Sequence, residues 1–290
     1  QGVVTGVNQS HFLVRTTDPT LFETSRQGDF SYNIPLDPGD YELWLYFVET
    51  KFGPGTILGG GDTSRLFDVS ANGRTLLSEF DVFSDAGGNF TADVRVFKGI
   101  RPAPDGGLHL QFHREVDDPF VNAIKVTPSS SGKLLPVCVV AQDNSYTDAN
   151  GMKWDPDHYY RGGRAVMRMS PVSGTGDPGL FDGERYGNFD YAIPVAAGKY
   201  GVTLYFAERY FGPGLAGGGG AGSRVFDVTC NDTTLLKNFD IFKEAGGANR
   251  AVVKTFHGLQ ADAQGKLILR FVPVVNYALV DAIEVTDESK

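Results

Sequence analysis

Arg65–Leu77 reads RLFDVSANGRTLL, two short runs of alternating apolar residues hinged on Asn72-Gly73. Both hinge residues tolerate positive φ, which a two-residue β-hairpin turn demands, so this stretch predicts a pair of antiparallel strands. The same period of two continues on either side. Tyr41, Leu43, Leu45 and Phe47 alternate with Glu42, Trp44, Tyr46 and Val48, and Leu108, Leu110 and Phe112 form a further run. No stretch carries a 3.6-residue apolar period over three turns. Composition agrees, since 37 Gly and 15 Pro make up about 18% of the 290 residues against a usual ~12%. With 41% hydrophobic and 12% aromatic residues the chain is too apolar for disorder. Short strands at regular spacing imply an all-β protein of the sandwich or jelly-roll type.

The hairpin is written twice. Asp18–Thr127 aligns with Asp177–Thr286 at a constant offset of 159 without a gap, with 52 of 110 positions identical. DPTLFETSRQGDFSYNIP faces DPGLFDGERYGNFDYAIP, SRLFDV faces SRVFDV, EFDVFSDAGG faces NFDIFKEAGG, and VNAIKVT faces VDAIEVT. The chain therefore reads as two tandem jelly-roll-like sandwiches: copy one over residues 1–128, a PSSSG-derived linker over 129–132, and copy two over 133–290. Copy two has an additional opening segment, Lys133–Arg161, for which copy one has little room, so copy one is expected to lack an opening strand pair.

A net charge of −9 without a basic block excludes nucleic acid as a partner, because such binding rests on clustered cations. The longest apolar runs, such as Val137–Ala141, are far too short to span a bilayer. Two cysteines, Cys138 and Cys230, leave two readings open, buried free thiols or a single bridge. The chain starts at Gln1 without a signal-like segment and reads as a piece of a larger polypeptide.

Enzymatic motifs are weak. Gly59–Gly61 and Gly217–Gly220 lie in glycine-rich loops without the Lys-Ser/Thr or following helix that a phosphate cradle needs, and read as mobile rims. Asp143, Asp148, Asp155 and Asp157 crowd the start of copy two, where turn-forming aspartates are favoured over a calcium site. Three carboxylate pairs occur in both copies, Glu49 and Glu208, Asp68 and Asp227, Asp81 and Asp240. A glycosidase could use such groups, but backbone-binding roles are favoured. No metal or cofactor is expected.

Differences between the copies are more telling. Tyr210 stands opposite Lys51, and Tyr186 opposite Gln27. A packed interior does not exchange tyrosine for lysine, so both tyrosines are expected at the surface. Exposed aromatic planes suit the C–H faces of sugar rings, and tyrosine adds a hydroxyl. The identical Phe52 and Phe211 fit core packing or a shared platform equally.

AERYFGPG, SRVFDVTCNDTTLLKNFDIFKEAGG and LVDAIEV resemble the malectin family, as do the matching segments of copy one. The resemblance implies jelly-roll-like sandwiches that bind glucose-containing oligosaccharides without catalysis. It implies an extracellular, periplasmic or secretory-lumen location. Its aromatic pair falls on Tyr210 and Phe211, its Glu-Arg-Tyr tyrosine on Tyr186, its opening aromatic on Tyr159 or Tyr160, and a polar group on Asn276. With these, Arg185 and Glu208 are expected to supply orienting hydrogen bonds. The weaker counterparts in copy one are Arg26, Gln27, Glu49, Lys51, Phe52 and Asp117. The alternative function is a protein-interaction or spacer module of a larger surface or secreted protein, with a vestigial cleft and a protein partner.

Overall fold

The computed structural model describes residues 2–6, 12–129, 132–168 and 170–289. It is nearly all β and divides into two compact units, Gln1–Leu134 with Pro194–Ala196 and Leu135–Ile193 with Ala197–Lys290. The division after Leu134 falls just past the proposed 129–132 linker, of which Ser130 and Ser131 lie outside the described residues.

Unit one runs through β1 (Val3–Gly6), β2 (Thr24–Gln27), β3 (Phe30–Pro35), β4 (Tyr41–Phe47), β5 (Leu66–Ala71), β6 (Arg74–Phe80) and α1 (Val82–Ala86). It continues through β7 (Asp93–Ile100), β8 (Gly107–Val116), β9 (Phe120–Val121) and β10 (Ala123–Pro128). Antiparallel pairing gives the sheet orders β3-β8-β5-β6, β10-β4-β7 and β1-β2-β9. Asn72 and Gly73 take φ of 49° and 78° and close β5 onto β6 through the Ala71–Arg74 pair, as the hairpin signal predicts. Inward side chains of β4, β5 and β8, including Leu43, Phe47, Phe67, Val69, Leu110 and Phe112, form one core. Each such side chain contributes about 1.5–3 kcal/mol of burial. In β4 the alternate residues Glu42 and Trp44 are also buried, so this strand is covered on both faces.

Unit two repeats the plan. Its elements are β11 (Val137–Val140), β12 (Tyr146–Thr147), β13 (Lys153–Trp154), β14 (Tyr160–Met167), β15 (Gly183–Pro194), β16 (Lys199–Ala207) and β17 (Val225–Cys230). After these come β18 (Thr233–Phe239), α2 (Ile241–Ala245), β19 (Ala251–Gln260), β20 (Lys266–Val275), β21 (Ala278–Val280) and β22 (Ala282–Asp287). One sheet is ordered β14-β15-β20-β17-β18 with β21 paired to β15, a second is ordered β11-β22-β16-β19, and β12 and β13 form a two-stranded sheet.

The structure adds three details. Copy one keeps the counterpart of β14, since β1 pairs with β2 as β14 pairs with β15. What it lacks among the described residues are counterparts of β11, which in unit two covers the edge of β22, and of the antiparallel pair β12–β13, the strand pair expected to be missing. Second, the Ala-Gly-Gly segments are the C-termini of one-turn helices. The Asp81 and Asp240 side chains accept from the Ser84 and Lys243 N–H groups, and Gly87 and Gly246 take the left-handed conformation (φ 74° and 67°) that ends them. Five residues are too few for a helical period to appear in sequence. Third, the cysteine alternatives resolve to two buried free thiols. Burial pushes Cys138 up to about 12 and Cys230 up to about 11.

Candidate functional site

The candidate site of unit two grows from the chain leaving β16. Glu208 follows Ala207 directly and is 1% exposed. Its Oε1 accepts from the N–H groups of Tyr210 (2.9 Å) and Phe211 (3.0 Å), and its Oε2 accepts from Arg224 Nε at 2.6 Å. One carboxylate thus bends the chain into a turn that presents Tyr210 and Phe211, whose rings meet edge to face at 4.9 Å. The Arg224 guanidinium lies 5.1 Å from the Phe211 ring centre, and its Nη1 donates to the Tyr277 carbonyl at 2.6 Å. Tyr277 is 60% exposed, and its ring sits 6.0 Å from that of half-buried Tyr186. Arg168, just past β14, stands 5.6 Å over the Tyr210 ring. Two aromatic pairs thus form the rim: Tyr210 and Phe211 lie against the Arg168 and Arg224 guanidinium groups, and Tyr186 and Tyr277 join through the hydrogen bond of Arg224 to the Tyr277 backbone.

The glycine-rich loop belongs to this rim. A Cβ on Gly217 would lie 2.7 Å from both the Tyr210 and Phe211 rings, so only glycine lets the loop rest against them. The loop is also tied down, with Gly217 N–H donating to the Tyr210 carbonyl at 2.8 Å and Gly212 N–H to the Gly218 carbonyl at 2.8 Å. It is pinned against the rings, where a mobile rim was expected.

The expected site residues divide into two groups. Tyr210 is 37% exposed, Tyr186 and Phe211 are half-buried, and Asn276 is exposed with its Nδ2 donating to the Ser223 carbonyl at 2.6 Å. Arg185 and Glu208 do not present free groups, contrary to the expected orienting role. Arg185 is 3% exposed, donates from Nε to Asp157 (2.9 Å) and from Nη1 to the Gly162 carbonyl (2.7 Å), and is covered by Tyr160, whose ring centre lies 3.3 Å from the guanidinium carbon. Tyr191 also donates to Asp157 at 2.7 Å. Burial nevertheless holds the Asp157 carboxyl above its ordinary range, against the pull of Arg185 and Tyr191. Arg185, Asp157 and Tyr160 are thus a buried brace that fixes the opening segment to β15. Of the two opening aromatics, Tyr159 instead packs on His158 at 3.9 Å.

Unit one builds the same frame with another rim. Glu49 Oε1 accepts from the Lys51 (2.7 Å) and Phe52 (3.2 Å) N–H groups, and its carboxylate pairs with buried Arg65 at 2.9 Å. Lys51 then reaches Asp117 at 2.7 Å, the two positions held by Tyr210 and Asn276 in unit two. Gln27 Nε2 is bound to Ser25 Oγ at 3.0 Å, and Arg26 donates to the Tyr32 hydroxyl at 3.1 Å. Half-buried Phe52 lies between Lys51 and Arg65, 5.1 and 5.5 Å from its ring centre. The rim of unit one is an ion pair where unit two shows aromatic surface.

Two residues of the unit-two rim escaped the sequence reading. Tyr277 stands opposite Asp118, the same tyrosine-for-polar difference that singles out Tyr186 and Tyr210. Arg168 lies upstream of the aligned repeat and carried no such signal.

The remaining candidate chemistry is structural. Asp68 and Asp227 accept from the Glu79 (2.7 Å) and Asn238 (2.8 Å) N–H groups, and Asp81 and Asp240 also hold Thr63 and Gly222 at 2.6 Å. Asp148 accepts from the Asn150 and Met152 N–H groups, both at 2.9 Å, as a turn former does. Among the described residues no cluster of three His, Cys, Asp or Glu side chains could hold a metal ion, and no helix is long and apolar enough to cross a membrane.

Comparison with known proteins gives this geometry a lineage. The family model of the malectin domain matches residues 5–124 and 136–283. Malectin-B of Xenopus laevis is 32% identical over 120 residues, 37% of this chain and 40% of that protein. Kinesin-like protein KIN-14E of Oryza sativa subsp. japonica is 39% identical over 109 residues, 30% of this chain and 9% of that protein. The chain thus spans well under half the length of these relatives. Among solved structures, the ANXUR2 extracellular domain from Arabidopsis thaliana matches 99% of this chain and 88% of its own, at 18% identity and a TM-score of 0.45. With both repeats matched by the family model, the chain belongs to the malectin domain family, as a tandem pair.

Proposed function

We propose that unit two binds a neutral gluco-oligosaccharide without catalysis, stacked on Tyr186, Tyr210 and Phe211 with Tyr277 extending the surface. One observation carries this reading. The two units share the Glu–Arg frame beneath the rim, yet only unit two places exposed tyrosines on it. Asn276 offers a polar group at the edge, while Glu208 and Arg185 act from behind by holding the turn and the opening segment. Carboxylates that are buried or committed to backbone donors favour a binding module over a hydrolase. With so few anchors the affinity should be roughly millimolar to micromolar, or about −4 to −8 kcal/mol. Calorimetry with glucose disaccharides and trisaccharides tests this, and a parent protein that takes up no heat from any of them would end the proposal.

For unit one, the Lys51–Asp117 pair favours the second reading, a spacer or protein-interaction module within a larger polypeptide. A location outside the cytosol accompanies the sugar-binding reading. Immunolocalisation of the parent polypeptide to the cytosol would instead favour the protein-interaction reading for both units.

A further inference from the structure

Behind the Tyr210 turn lies a chain of charges. Arg168 Nη2 donates to Glu184 Oε1 at 2.6 Å; Arg209 Nη2 stands 3.9 Å from Glu184 Oε2 and donates to Asp281 Oδ1 at 2.7 Å. Asp281 Oδ2 accepts from the Ala207 N–H at 2.7 Å, at the end of β16. The side chains of Glu184, Arg209 and Asp281 are fully buried, and Arg168 alone of the four reaches the surface, with 25% of its side chain exposed. Glu184 Oε2, Arg168 Nε and the Nε and Nη1 of Arg209 are buried without a hydrogen-bond partner, so it is the terminal Nη groups of Arg168 that face the rim.

Nothing in the fold requires these charges. Unit one has Ser25, Thr50 and Asn122 at the positions of Glu184, Arg209 and Asp281. Its Asn122 still accepts from the Val48 N–H at 2.9 Å, the same backbone task that Asp281 performs. Burying ion pairs carries a large desolvation cost before their attraction is counted, and neutral replacements are often as stable. The costly arrangement occurs only in the unit that also carries the aromatic rim, and it ends at the guanidinium over Tyr210.

We infer that Arg168 is a specificity-determining residue of the proposed sugar site, its guanidinium edge donating to adjacent hydroxyl oxygens of the ring stacked on Tyr210, with Glu184 as the residue that orients it. The inference rests on the sugar-binding reading of unit two and names its polar contact. Planar guanidinium donors in a fixed fork match two neighbouring oxygens, whereas a lysine would offer a single mobile point charge. The chemistry also selects for charge. Glu184 pairs with Arg168 at 2.6 Å and offsets its charge, so the guanidinium at the rim has little net charge to offer a uronate or a phosphate. The fitting ligand is an uncharged sugar with vicinal hydroxyls.

Calorimetric titration of the full chain with maltose and with its monodeoxy analogues tests this. The parent protein should bind maltose and lose about tenfold in affinity for the analogue lacking a contacted hydroxyl. Arg168→Gln should bind maltose about tenfold more weakly and no longer distinguish that analogue. Arg168→Lys should not restore the discrimination, and the glucuronate analogue should bind the parent no better than maltose. A deoxy penalty that persists in Arg168→Gln would refute the role of Arg168 while leaving sugar binding intact. Tighter binding of the glucuronate analogue would refute the choice of an uncharged ligand. A parent protein that binds neither sugar overturns the sugar-binding reading and this inference together.

Discussion

Replacing Glu208 with Gln keeps the shape of the side chain and removes its charge. The amide oxygen can still accept from the Tyr210 and Phe211 N–H groups, but its NH2 would then face Arg224 Nε, donor against donor, at the 2.6 Å position. Arg224 is 4% exposed, so its guanidinium cannot turn to water. Breaking one side of such a buried pair costs about 3–5 kcal/mol, most of it from the stranded charge. In a unit of this size about 1 kcal/mol moves the melting temperature by roughly 2–4 °C, so Glu208→Gln should lower the unfolding transition of unit two by about 6–20 °C. Differential scanning calorimetry reads the shift. Adding Arg224→Met, which removes the stranded charge, should recover most of it. A single variant within about 0.5 kcal/mol of the parent would refute the argument, because changes that small are typical of surface sites without a structural role.

Four charge and packing effects yield sharper tests elsewhere. Cys138 and Cys230, their thiols pushed up to about 12 and about 11 by burial, should resist iodoacetamide at pH 8 and react only after denaturation; rapid labelling of the native protein would contradict this. Burial holds Asp281 well above its ordinary value in spite of Arg209. Its folded state therefore keeps a proton that the unfolded chain has lost, and its contribution to stability falls as pH rises from about 3.8 towards the raised value. Asp281→Asn should remove that component, so the parent's stability relative to the variant should decline over this window; a rising difference in urea titrations would invert the sign. Removing the half-exposed Lys51–Asp117 pair by Lys51→Ala should cost under about 1 kcal/mol. Installing the unit-two rim on unit one, with Gln27→Tyr, Lys51→Tyr, Leu58→Gly, Asp117→Asn and Asp118→Tyr, should raise the sugar stoichiometry from one site to two per chain.

Much of the fold was legible because its signals are local. Asn72-Gly73 specifies a turn by its own backbone preferences, and the period of two in Tyr41–Phe47 needs only neighbours. The duplication supplied a second reading of each strand. The one-turn helices were hidden because a five-residue helix has no face to repeat, although Asp81 and Gly87 mark its two ends. Site residues divided along the same line. Tyr186 and Tyr210 stood out because the other copy replaces them with polar groups, and Tyr277 was open to the same comparison. The roles of Glu208 and Arg185 were not legible, since each depends on a partner brought from afar. Arg224 is 16 residues from Glu208, and Asp157 is 28 residues from Arg185. Sequence shows the charge of such a residue and not the group that consumes it.

Sugar binding on the aromatic rim of unit two is the central claim, and titration calorimetry of the parent chain and Tyr210→Ala against one glucose oligosaccharide tests it most directly. Tyr210→Ala leaves the Glu208–Arg224 frame and its backbone N–H intact, so the variant should stay folded. The account predicts saturable binding by the parent and loss of about tenfold or more in Tyr210→Ala, the order expected for one stacked aromatic ring. Equal affinity in the two proteins would contradict it.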